Sequence, residues 1–173
     1  LGTSVAVGDV VVPTQFLQHD MDASPLFPRH EVPGYGCSRF ETDTHWRKRL
    51  TDAATATLAN SAHYLGAEAV ADFGLTHAKV HHGLVISGDR FVATSAESDT
   101  LRQQLPDALA VEMEGAAVAQ VCHDFGVPFA AVRTVSDRAD DSAHVDFGRF
   151  VADVAARYSA QIVMAALQPP PTE

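Results

Sequence analysis

The sequence is poor in the groups that tie a chain to disulfide frameworks, metal clusters or polyanions. It has two cysteines in 173 residues. Cys37 and Cys122 are too few for a disulfide framework and too far apart for a paired metal motif, which fits a reducing compartment and points to the cytoplasm. Basic side chains are scarce: 12 Lys and Arg face 22 Asp and Glu, a formal charge of -10. No basic cluster rises above that field, so nucleic acid is not an expected partner. Long apolar runs are missing, since Asp, Arg and His interrupt each one, and no secretory signal opens the chain. No membrane association is therefore expected. Repeats and low-complexity linkers are absent as well.

What is present is an ordinary core composition, 46% hydrophobic, on a length that suits one domain over 1–173. The chain opens without Met on LGTSVAVGDVVVP and runs at once into a strand-like segment, so a preceding segment is expected to be missing. VAVGDVVV (5–12) reads as a buried strand ended by Pro13. Residues 20–42, with Pro25, Pro28, Pro33, Gly34 and Gly36, read as an extended loop. The Thr42-Asp43-Thr44 cluster predicts a helix start, with Trp46, Leu50, Ala53, Ala54, Leu58 and Leu65 as its apolar stripe and Gly66 as its stop. Then come a strand at 83–87, a short helix near 96–104, a strand at 108–112, a helix over 114–125, a strand at 129–135 and a last helix at about 146–167. This alternation argues an α/β sandwich with a largely parallel sheet, whose ligands gather at the carboxyl ends of its strands.

Three polar groups fall at predicted strand ends: Ser87-Gly88-Asp89, Glu112-Met113-Glu114 and Ser136-Asp137. Taken singly, Glu114 and Asp137 have a plain explanation, because acids favour the amino ends of helices. Taken together they describe one pocket. A carboxylate accepts two hydrogen bonds at once, so Glu114 suits the paired hydroxyls of a ribose. A second acid, Asp137, partly shielded and raised in pKa, would protonate a heterocycle nitrogen, and Phe91 would stack on the base. Such a pair suits N-glycosidic cleavage, with negative charge beside a developing oxocarbenium ion. Three weaker signals are discounted. His77, His81 and His82 lack further ligands for a metal. The acids of 137–146 lack the Gly and Glu of a calcium loop. Ser87 has no histidine placed by a motif to activate it, so it reads as a structural cap, while Asp89 reads as an anchor for the loop of Phe91.

The segments GLVISGDRFV (83–92), VEMEGAAVAQVCHDFGVPFAAVRTVSDRAD (111–140) and HVDFGRFV (144–151) resemble the 5′-methylthioadenosine/S-adenosylhomocysteine nucleosidase branch of the purine nucleoside phosphorylase family. The resemblance implies a three-layer α/β/α sandwich with a mixed, largely parallel sheet, and hydrolysis of a 5′-thioadenosine to adenine and the 5′-thioribose without a metal or organic cofactor. By the same resemblance Asp137 protonates the purine beside Ser136, Glu114 holds the ribose hydroxyls and Met113 packs on the sugar. Phe91 stacks on adenine, the backbone of Val92 reads its edge, Arg133 orders the attacking water, Glu112 supports loops and water, and Phe147 closes near the 5′ substituent. The resemblance further implies a homodimer in which a partner's loop, matched here by 18–34 with Leu26, Phe27 and Pro33, caps the pocket. It also implies that the first strands, a Gly/Ser-rich turn and the water-activating glutamate lie upstream of VGDVVV. The alternatives are a purine nucleoside phosphorylase, with phosphate as nucleophile, and a nucleoside-binding fragment without turnover.

Overall fold

The structure, a computed structural model, describes residues 1–137 and 147–169. The central strand is β1 (Val10–Gln18), which pairs in parallel along its length with β3 (Val80–Ser87), and β3 pairs in parallel with β4 (Ala108–Glu112). The other edge of β1 carries two short antiparallel partners, β5 (Arg133–Thr134) on Val10 and Val11 and β2 (Phe40–Glu41) on Gln15 and Phe16. The sheet is therefore mixed and largely parallel, as expected.

Strand β1 corrects the expectation that Pro13 ends it. Proline offers no N–H, which an edge facing two short partners tolerates, and the Pro13 carbonyl accepts the Thr42 hydroxyl at 2.7 Å. An irregularity between Pro13 and Gln15 then switches the side-chain parity. Val10 and Val12 face one layer and Val11 the other; beyond it Phe16 joins Val11, and Leu17 takes the opposite side. A β-bulge does this by adding one residue to a period of two. The expected strand start at residue 5 is also displaced, because residues 2–9 form turns before Val10, with Gly8 at φ 88.

The predicted helix after Asp43 is present but broken. Asp43 caps α1 (Thr44–Ala59) by accepting the Trp46 N–H at 2.9 Å. At its other end the Asn60 side chain donates to the Ala56 carbonyl at 2.8 Å, replacing a backbone donor and ending the helix. The chain resumes as α2 (Ser61–Leu65), turns at Gly66 and continues as α3 (Ala67–Asp72). Helix α4 (Ser95–Gln104) starts from Thr94, which pairs reciprocally with Glu97 in a capping box. Helix α5 (Gly115–Asp124) follows β4 directly. The strand expected over 129–135 shrinks to β5, because the edge of β1 beyond Val11 is taken by Thr42 and β2.

The last helix runs over Phe147–Leu167 as α6 (Phe147–Phe150), a π segment (Val151–Ala155) and α7 (Ala156–Leu167). By length and composition it is apolar enough to cross a membrane, with mean hydropathy 1.3, which corrects the expectation that no apolar stretch approaches that length, although Arg149, Asp153 and Arg157 interrupt it as expected. Its fully buried Val154, Tyr158 and Ile162, with Phe150 and Ala166, recur at four-residue spacing and pack on Val10, Val12 and α1. Leu84 and Ile86 pack with Leu101 of α4 and Leu105 just after it, and α5 covers Val11, Phe16 and Val85 from the opposite side through Ala116 and Ala119. The result is three layers, with helices on both faces of the sheet.

Candidate active site at the strand exits

The carboxyl ends of β3, β4 and β5 converge on a cavity of about 450 Å³. Its wall includes Phe91 and Val92 from the loop after β3, and Glu112, Met113 and Glu114 from the end of β4. Arg133, Ser136 and Asp137 come from β5 and its exit, and Phe147 from the start of α6. The structure thus gathers in one space all nine residues expected to meet the substrate. Phe91, Met113 and Phe147 remain 46%, 41% and 40% exposed, so each presents an aromatic or thioether surface to the cavity instead of to the core. The partner-loop candidates stand elsewhere: Leu26 is 84% exposed, Pro33 is exposed, Phe27 is partly buried, and none lines the cavity. The stretch 138–146, expected to shape the purine loop, lies outside the described residues.

The two glutamates beside Met113 have different surroundings. The Glu112 side chain is 12% exposed and forms an ion pair with Arg133. It accepts the Gly115 N–H on both oxygens, at 2.8 and 3.0 Å, the Glu114 N–H at 3.3 Å and the Ser87 hydroxyl. The Ser87 Oγ in turn accepts the Ala116 N–H at 2.8 Å. The first amides of α5 are therefore satisfied by Glu112 and Ser87. Glu114 occupies the N-cap position but makes no side-chain cap bond, so the plain helix-start explanation does not account for it. Its carboxylate is 68% exposed and meets Arg133 at 3.2 Å. Burial lowers the pKa of Arg133 from its ordinary value, while the two carboxylates hold the guanidinium at the cavity wall.

Asp137 is half-buried, and its Oδ2 accepts the Ser136 hydroxyl at 2.7 Å. The exit that carries it is tied to the start of β1, since the Val135 N–H donates to the Asp9 carbonyl at 2.8 Å and the Gly8 N–H donates to the Val135 carbonyl at 2.9 Å. Asp9 is 3% exposed. Its carboxylate accepts the Ala6 and Lys79 N–H groups at 2.9 and 2.8 Å and lies 2.7 Å from His81 Nε2. Sequence reasoning missed this anchor. The only local signal was an acid inside a valine run, where a buried charge demands partners. Of the other histidines in the discounted metal cluster, His82 meets the Thr51 hydroxyl at 2.9 Å. Among the described residues no group of three or more His, Cys, Asp or Glu is placed to hold a metal ion.

These features have close counterparts. A profile of the Phosphorylase superfamily matches residues 1–168. The 5′-methylthioadenosine/S-adenosylhomocysteine nucleosidase of Shewanella frigidimarina is 34% identical over 165 residues, which are 95% of this chain and 64% of that protein. In the crystal structure of the nucleosidase of the same name from Neisseria meningitidis, in complex with methylthio-immucillin-A, the match has a TM-score of 0.78 and 34% identity, covering 96% of this chain and 64% of that one. The futalosine hydrolase of Helicobacter pylori matches with a TM-score of 0.73 and 29% identity, covering 95% of this chain and 61% of that one. The chain thus spans somewhat less than two thirds of the length of these relatives. With the family profile extending over almost all of it, the chain belongs to the phosphorylase superfamily.

Proposed function

We propose that the protein hydrolyses the N-glycosidic bond of 5′-methylthioadenosine, S-adenosylhomocysteine or a close 5′-substituted adenosine. The observation that carries this reading is the shared cavity: Glu114 and Asp137 line one space together with the ring of Phe91. In the proposed reaction Phe91 stacks on adenine, the Val92 backbone reads the base edge and Met113 packs on the sugar. Glu114 accepts the ribose hydroxyls, which places negative charge beside the anomeric carbon as it becomes cationic. Asp137 gives its proton to the imidazole nitrogen of the purine, so the base departs with the electron pair of the glycosidic bond as neutral adenine. Water, ordered by Arg133, adds to the anomeric carbon and gives up a proton to solvent, from which Asp137 regains the one it donated, leaving the free 5′-thioribose. Glu112 holds Arg133 and the start of α5, and Phe147 covers the 5′ end. The chemistry asks for no metal or organic cofactor.

The match to a futalosine hydrolase supports hydrolysis, in place of phosphorolysis, as the reaction. The assay that decides between nucleophiles follows adenine release from 5′-methylthioadenosine in the presence and absence of inorganic phosphate. Equal release without phosphate is expected. Strict dependence on phosphate would make the protein a phosphorylase, and absence of release under both conditions, with adenine still bound, would leave a nucleoside-binding protein. The exposed Leu26 and Pro33, with Phe27 beside them, support a homodimer in which this loop meets the partner. Both cysteines are free, which is compatible with a cytoplasmic location.

A further inference from the structure

The loop that carries Phe91 is held from below by the end of β1. The His19 N–H donates to the Ser87 carbonyl at 2.8 Å, and the Asp20 carboxylate accepts the Asp89 N–H at 2.7 Å while its other oxygen takes the Gln18 amide at 2.7 Å. The Gly88 N–H donates to the Glu112 carbonyl at 3.1 Å. The His19 ring, 9% exposed, lies against Gly88, where a Cβ would come within 2.2 Å of Nε2, 2.6 Å of Cε1 and 2.9 Å of Cδ2. Contacts that short are not tolerated, so a side chain at this position would displace either the His19 ring or the loop. Phe91 itself is 46% exposed and borders two cavities: the one at the strand exits and a second of about 390 Å³ that also touches His19, Asp20 and α4.

We propose that His19 and Asp20 are positioning residues for the base-stacking wall. His19 sets the height of Gly88 and Asp20 fixes the Asp89 amide, so that together they aim Phe91 into the cavity and govern affinity for the base. This rests on the reading of the cavity as a purine site. Of His19, Asp20, Gly88, Asp89 and Phe91, Phe91 alone lines the strand-exit cavity, and Asp20 is exposed, so its replacement leaves the core intact.

The test uses adenine itself as the probe in titration calorimetry, with a thermal melt on each variant. Wild type is expected to bind adenine; no binding would remove the purine site and this inference with it. Asp20→Ala is expected to weaken adenine at least tenfold with the melting temperature within a few degrees of wild type, and Asp20→Asn, which keeps an acceptor for the Asp89 N–H, to recover most of the loss. Gly88→Ala, which drives a Cβ into the His19 ring, is expected to weaken adenine by a similar factor, as is His19→Ala, which removes the ring that sets the height of Gly88. A merely structural role would lower the melting temperature in step with affinity and would give no recovery in Asp20→Asn. Adenine affinity within twofold of wild type in both Asp20→Ala and Gly88→Ala would overturn the proposal while leaving the purine site standing.

Discussion

Glu112 and Glu114 share a sequence neighbourhood and part company in what surrounds them. Replacing Glu112 with Ala would leave the Gly115 N–H and the Ser87 hydroxyl without their acceptor, at about 1–3 kcal/mol for an unsatisfied buried group. Replacing the 68%-exposed Glu114 is expected to cost less than about 1 kcal/mol while weakening nucleoside binding at least tenfold. Urea unfolding and ligand titration on the two variants measure this; equal stability losses would contradict the division of labour. Asp137→Asn removes the proton donor and keeps the shape, so hydrolysis is expected to fall by about 10²–10⁴ with adenine affinity retained, and undiminished turnover would take Asp137 out of the chemistry. His19 and His30 give a pH signature. Burial, assisted by the charge of Arg29, lowers the pKa of both below the ordinary 6.5, against the opposing pull of Asp20 and Asp89 on His19 and of Asp22 on His30. Below 6.5 the unfolded chain binds protons that the fold refuses, so their contribution is full above that value and declines as pH falls towards the depressed pKa values. Unfolding free energy is expected to drop between about pH 7.5 and 5.5, less so in His30→Gln; identical profiles for the two proteins would refute it.

At the scale of elements, what repeats along the chain was readable and what depends on a distant partner was not. Strand β4 lies where ALAVE (108–112) predicts it, and α4 and α5 differ from expectation by a residue at their ends, because hydrophobic period and cap chemistry are local. The length of β1 was misread because proline breaks a strand only where its missing N–H is needed, and that depends on which neighbour takes the edge. The shortening of β5 has the same origin, since Thr42 and β2 take the edge of β1, whereas the break at Asn60 is local, its own side chain donating to the Ala56 carbonyl. The candidate site was legible as far as its residues cluster at strand exits, whereas the Asp9–His81 anchor and the contact of His19 with Gly88 join positions about 70 residues apart and have no local signature. The long apolar helix makes a direct prediction. Ile162 is fully buried, and Ile162→Ala is expected to cost about 2–5 kcal/mol in chemical denaturation; a loss below 1 kcal/mol would mean that this helix is not held on the sheet by its four-residue stripe.

For the molecule as a whole, a mixed sheet covered on both faces lets segments that follow β3, β4 and the antiparallel β5 line one cavity, and the acids that a valine- and alanine-rich sequence would otherwise exclude stand there. The proposed dimer belongs to this scale: Leu26→Asp is expected to shift the protein to monomers in analytical ultracentrifugation, and an unchanged sedimentation coefficient would remove that loop from the interface. The central claim is that Glu114 and Asp137 serve opposite ends of one nucleoside. A crystal structure of the protein with methylthio-immucillin-A bound tests it most directly. The account predicts the ribose-like hydroxyls within hydrogen-bonding distance of the Glu114 carboxylate, the imidazole-side nitrogen of the base on Asp137, and the base against Phe91. A ligand seated away from these side chains, or one touching only one of the two acids, would contradict it.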